Sequence, residues 1–145
     1  MESIGTMLLQ PMYVDYALLV ARLALGLCFV VHAMGKLGLV GPGNMAGFAG
    51  WLKSMGLPFP EAQARAAMLC ELVGGLLIAV GLFTRVGFVL AGSTMIVAAT
   101  IGIRGGGYLI TNPPPGNEYA LNLAILCGVF FLLGPGALSL DAILF

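Results

Sequence analysis

Hydrophobic residues make up 60% of the 145-residue chain and charged residues 8%, with a mean hydropathy of +1.06. Too few charges are present to cover a water-facing surface of that size, which places the chain in lipid and excludes a soluble globular domain. Six Lys and Arg balance six Asp and Glu, so no basic excess is left to neutralise phosphates, and nucleic acid is not an expected partner.

In chain order, four apolar runs approach the roughly 20 residues that a helix needs to cross a bilayer. The segment before the first carries acidic residues but no Lys or Arg, and the run itself holds Arg22, His32 and Lys36, which predicts a retained span rather than a cleaved signal peptide. The spans are expected at about residues 16–37, 62–83, 86–103 and 118–133, bounded by Gly and Pro. Only Thr84-Arg85 links the second to the third, so those helices are antiparallel neighbours. Between the first two spans, Met45, Phe48, Leu52 and Met55 recur at helical spacing, which predicts a short interfacial helix over about 44–55, capped by Asn44 and ended by Gly56; an ordinary loop is the alternative. The glycines and prolines between Arg104 and Asn117 make an irregular cap outside the membrane. The expected fold is therefore all-α: one domain, a four-helix transmembrane bundle with an interfacial helix.

Small residues recur where spans should touch, with Ala67, Gly74 and Gly81 on the second and Gly87 and Ala91 on the third. Cys28, Cys70 and Cys127 each stand alone in apolar runs without ligand spacing, and read as small hydrophobes rather than metal ligands or disulfide partners.

Ionisable groups at mid-span cost about 2.5 to 3.5 kcal/mol, so each should face protein and find a partner. Arg22, His32 and Lys36 fall on one side of the first span, with Arg22 and Lys36 within about 40° of each other. In an antiparallel pair, Glu71 of the second span sits level with about Cys28, leaving His32 about 6 Å to one side and Arg22 about 9 Å to the other. Either can pair with Glu71. A mid-span carboxylate must be paired or protonated, which makes Glu71, with His32, a candidate proton relay. Arg22 and Lys36 are candidate ligand-binding groups, as are Glu118 and Asn122, one turn apart on the fourth span; a purely interfacial role for Glu118 is the alternative. Asn117 is placed to cap that span, and Glu61 and Arg65, four apart, are expected to pair locally.

These residues carry a resemblance. Arg22-Leu-Ala-Leu-Gly26, His32-Ala-Met-Gly35-Lys36-Leu37, Met55-Gly56-Leu57-Pro58, Glu71-Leu-Val-Gly74-Gly75, Gly81-Leu-Phe-Thr84-Arg85, Asn117-Glu118-Tyr119-Ala120, Gly134-Pro135-Gly136 and Ser139-Leu140-Asp141 stand in the order and spacing of the DoxX family, which the chain resembles over nearly its whole length. Ala33 replaces a glycine found in many members. The resemblance implies a multi-pass protein of a bacterial or archaeal cell membrane, the inner membrane in a cell with two. It also implies a role beside membrane redox chemistry, since relatives act in quinone-linked thiosulfate oxidation and in quinone or aldehyde detoxification. Quinone is the expected ligand, with a partner redox subunit, a soluble donor or a homo-oligomer supplying what the chain lacks. No haem, flavin or iron–sulfur signature is present in the sequence. A scaffold anchoring another protein and a small transporter are the competing readings. Loop charges lean towards cytoplasmic first and third loops, whereas the family implies cytoplasmic termini, which is the preferred orientation; an even number of spans puts both termini on one side.

Overall fold

The computed structural model describes residues 11–145, so the reading of the segment before Pro11 lies outside the described residues. Six helices follow in order: α1 (Pro11–Lys36), α2 (Met45–Ser54), α3 (Pro60–Val80), α4 (Thr84–Gly106), α5 (Glu118–Leu133) and α6 (Leu140–Leu144). No strand occurs among the described residues. Within α1 the stretch Met12–Lys36, with α3 and α4, is long and apolar enough to cross a membrane; α5 is equally apolar but shorter, its 16 residues spanning about 24 Å. Large hydrophobic side chains such as Val20, Leu27, Val73, Ile96 and Leu132 point outwards, the arrangement expected where lipid rather than water surrounds the helices.

The helices pack as a bundle in which α1 lies against α3, α3 against α4, α4 against α5, and α2 against α3. Two close backbone crossings set the register. A Cβ on Gly26 would stand 2.6 Å from the Gly75 carbonyl oxygen, and one on Gly74 would stand 2.9 Å from that of Gly87. In lipid, where apolar burial does not drive helices together, such small-residue crossings supply the van der Waals contact. The core between them is Leu25, Phe29, Ile78, Phe88, Ala91 and Leu123, with Cys127. A second cluster, Leu52 of α2 with Ala64 of α3 and Ile101 of α4, sits near one end of the bundle.

Several boundaries differ from the sequence expectation. The turn after α3 is Gly81-Leu82-Phe83, and Thr84 and Arg85 already belong to α4. Gly81 is the left-handed helix end, at φ 72°, with its N–H on the Leu77 carbonyl, and it is closely packed too, though against the Arg22 guanidinium and Ser139 rather than a neighbouring span's backbone. Asn44 caps α2 as expected, accepting from Gly47 N–H. Asn117 does not cap α5 with its side chain; its amide is buried and donates to the Ala99 carbonyl at 3.0 Å, pinning the start of α5 to α4. Glu61 and Arg65 form no ion pair: both are exposed in the first turns of α3, where holding two mobile chains together gains little. The chain also ends in α6, a short helix capped by Ser139, which accepts from Ala142 N–H.

Candidate functional site

Among the described residues, one ion pair occurs: the Lys36 ammonium donates to the Glu71 carboxylate, with side-chain exposures of 16% and 3%. Helix geometry explains the choice. Each Cα–Cβ bond leans towards its own helix N-terminus, so on antiparallel helices Lys36 leans down α1 while Glu71 leans up α3, and the two converge. Arg22 leans away from Glu71. The Gly26–Gly75 crossing puts Glu71 level with about Val30, so His32 lies within about 3 Å of that level. Even so, the imidazole turns to α5, its Nε2 2.8 Å from the Tyr119 hydroxyl. The same hydroxyl lies 3.1 Å from Cys28 Sγ. Neither of the expected partners of Glu71 is therefore the one it takes.

These groups form one wall of a cavity of about 450 Å³. His32 shows why a cavity is there: it shares the inward stripe of α1 with buried Leu25 and Phe29 yet is exposed, because open space rather than protein faces it. Phe48, Trp51 and Leu52 of α2 make the roof, with Phe48 and Trp51 stacked and the Lys36 ammonium 5.1 Å from the Phe48 ring centre. The remaining walls, from α3 and α4, are mostly apolar and largely small, among them Ala67, Cys70 and Ala98, with the polar side chains of Gln63, Ser93 and Thr94 between them. A second recess, under the loop that joins α1 to α2, shares His32, Lys36 and Phe48 with the first. The cavity thus combines an apolar interior, a hydroxyl–imidazole pair, and a buried ion pair beside it.

The remaining candidates fall elsewhere. Arg22 lies towards the other end of α1, 1% exposed, where its guanidinium donates to the Leu138 carbonyl beside Gly81. Glu118 accepts from Ile110 N–H at 3.1 Å and so holds the loop before α5. Asn122 is exposed and lines no part of the cavity. The sequence reading passed over Tyr119, Trp51 and Phe48 as site residues. A signal for Tyr119 existed: it is a hydroxyl in the first turn of α5, one position on from Glu118 and hence about 100° away around the helix. No cluster of three or more His, Cys, Asp or Glu side chains among the described residues is placed to hold a metal ion.

The model of one protein family, DoxX, matches residues 17–103, which includes α3 and most of α1 and α4. The chain is 34% identical over 133 residues to the inner membrane protein YphA of Escherichia coli (strain K12), covering 86% of this chain and 87% of that protein. The chain belongs to the DoxX family. It is a multi-pass membrane protein, and no solved structure matches it. Within the DoxX match fall Arg22, His32, Lys36 and Glu71, while Tyr119 lies beyond it.

Proposed function

We propose that this DoxX protein binds a lipid-soluble quinone in the cavity and serves as a membrane subunit of quinone-linked redox chemistry. The observation that carries the reading is the pairing of an apolar, aromatic-roofed space of about 450 Å³ with the Tyr119–His32 and Lys36–Glu71 pairs along one side. A quinone ring needs an apolar slot with donors at its carbonyl oxygens, and the Tyr119 hydroxyl can donate to one while its oxygen accepts from His32 Nε2–H.

Reduction to the hydroquinone takes two electrons and two protons. The electrons come from a partner redox subunit or a soluble donor. The chain supplies protons: one passes from Tyr119 to a carbonyl oxygen and is replaced through His32, and Lys36, beside Glu71, supplies the second. His32 borders the second recess as well, so its lost proton is replaced from that side. The relative named an inner membrane protein supports the same membrane for this chain; with cytoplasmic termini, the end that carries α2 faces away from the cytoplasm.

Trp51 is the chain's one tryptophan and lines the cavity, so its fluorescence reads occupancy directly. In detergent or nanodiscs, a quinone should quench Trp51 saturably, with one quinone per chain by native mass spectrometry. Glu71→Gln and His32→Ala should each weaken binding by about tenfold or more while the folded helical signal is kept. Absence of quenching and of bound quinone in folded wild-type protein overturns the reading and favours the scaffold alternative.

A further inference from the structure

Below the cavity, α3 and α4 touch backbone to backbone at Gly74, Gly87 and Ala91. Near the α2 end they are bridged by Leu52, which sits with Ala64 and Ile101. Between those two closures the helices are lined by cavity, not by each other: Ala66, Ala67 and Cys70 on α3 face the same space as Ser93, Thr94 and Val97 on α4. Ala66, Ser93 and Val97 are exposed while Ala67, Cys70 and Thr94 behind them are half-buried, the pattern of a rim and an interior. The stretch Ser93–Val97 is the middle of α4, so this gap lies at the depth of hydrocarbon, not of headgroups. Its hydroxyls are already used, Ser93 donating to Leu90 O at 2.8 Å and Thr94 to Ala91 O at 2.7 Å, which leaves the opening apolar in practice.

We propose that this gap is a lateral window to the bilayer, and that the cavity's ligand carries a long hydrocarbon chain that lies in the window while its polar ring sits against Tyr119, His32 and Lys36. The polar wall and the window belong to one continuous space, so a molecule polar at one end and hydrocarbon at the other fits it lengthwise. The window follows from the helix geometry alone, whereas the identity of the ring rests on the quinone reading above.

The full chain in nanodiscs is irradiated with two probes, a benzoquinone and a phosphatidylcholine, each with a diazirine in its hydrocarbon chain, and adducts are mapped by mass spectrometry. The quinone probe should label Ala67, Cys70 and Thr94, and label them about tenfold more than the phospholipid probe does. Val97→Phe, which narrows the rim, leaves the polar wall untouched and keeps Trp51 the one tryptophan, should remove most of that labelling, while a quinone without a chain still quenches Trp51. Labelling of these residues by neither probe overturns the window even where the chainless quinone binds, and the quinone reading then stands alone. Labelling by the phospholipid probe only, with no quenching by any quinone, keeps the opening to lipid but overturns the quinone reading and, with it, a quinone tail as the occupant of the window.

Discussion

At the end of the bundle that carries α6, Asp15, Arg22, Arg85 and Asp141 each place at least one polar atom on a backbone group; at the α2 end, His32, Lys36, Glu71 and Tyr119 turn theirs onto one another around open space. In the first region the Asp15 carboxylate accepts from Ala137 N–H at 2.7 Å and Arg85 Nε donates to the Phe131 carbonyl at 3.2 Å. There too, Asp141 accepts from Phe83 N–H at 2.6 Å and Thr84 N–H at 2.9 Å. Asp141 meets the free N–H groups at the start of α4 and Asp15 meets one in the loop after α5, while the donors meet free carbonyls at the end of α5 and in that loop. Such bonds fasten α6 and the loop before it to the bundle. In the second region the charges leave backbone unattended and face a space large enough for a ligand. The contrast separates polar residues that hold the fold from polar residues free for chemistry, although all of them look alike in the sequence.

The largest expected effect lies at the cavity end. Lys36→Met leaves the Glu71 carboxylate buried without its partner, and removing one member of a buried pair costs about 3 to 5 kcal/mol. Adding Glu71→Met should restore most of that loss, because replacing both partners by apolar side chains is often close to neutral. Chemical denaturation in detergent of the two single variants and the double variant measures the coupling. Additive losses would mean that the pair does not interact in the protein, and the distinction between the two ends would lose its main support.

How far each region was legible in the sequence follows from its geometry. The spans could be read because lipid demands continuous apolar runs, and α2 because its apolar positions recur at helical spacing between Asn44 and Gly56. That Glu71 must face protein was legible, but its partner was not: axial levels alone favoured His32 or Arg22, and only the lean of the Cα–Cβ bonds brings Lys36 down to it. Arg22 meets a carbonyl 116 residues further along the chain, a contact that no local pattern encodes. Tyr119 was hidden between Glu118 and Asn122, whose shared face drew attention away from the neighbouring one. The turn after α3 was misplaced because Phe83 adopts a left-handed conformation, φ 46°, which a bulky residue rarely takes up. The Asp141 carboxylate, 58 residues on, helps to hold it there.

Asp141 gives the next effect, at the fastening end. Burial works against its ionisation, but the N–H groups of Thr84 and Phe83 and the nearby Arg22 charge outweigh it, so the carboxyl titrates below its usual range. A folded-state value below the unfolded one means that the stabilisation is complete above the unfolded value of about 3.9 and is lost as pH falls through the lower folded value. Asp141→Asn should therefore cost about 1 kcal/mol at neutral pH, as loss of a helix cap does. The difference from wild type should shrink in thermal unfolding curves taken below about pH 4. A difference that stays constant down to that pH would assign the effect to lost shape rather than lost charge.

The smallest effect on stability should come from Tyr119→Phe, and it sharpens the comparison most. The tyrosine is 42% exposed, so removing its hydroxyl takes away the contacts with His32 Nε2 and Cys28 Sγ without leaving either partner sealed from water or ligand. A net hydrogen bond of that kind is worth about 1 kcal/mol at most, and the melting temperature should hardly move. Quinone affinity, read by Trp51 quenching, should nevertheless fall about tenfold, because the ring then meets a phenyl edge where it needs a donor. The opposite pattern, a large loss of stability with unchanged quenching, would make Tyr119 another fastening residue. The α2 end would then differ from the α6 end only in where its polar atoms find their partners, not in what they are free to do.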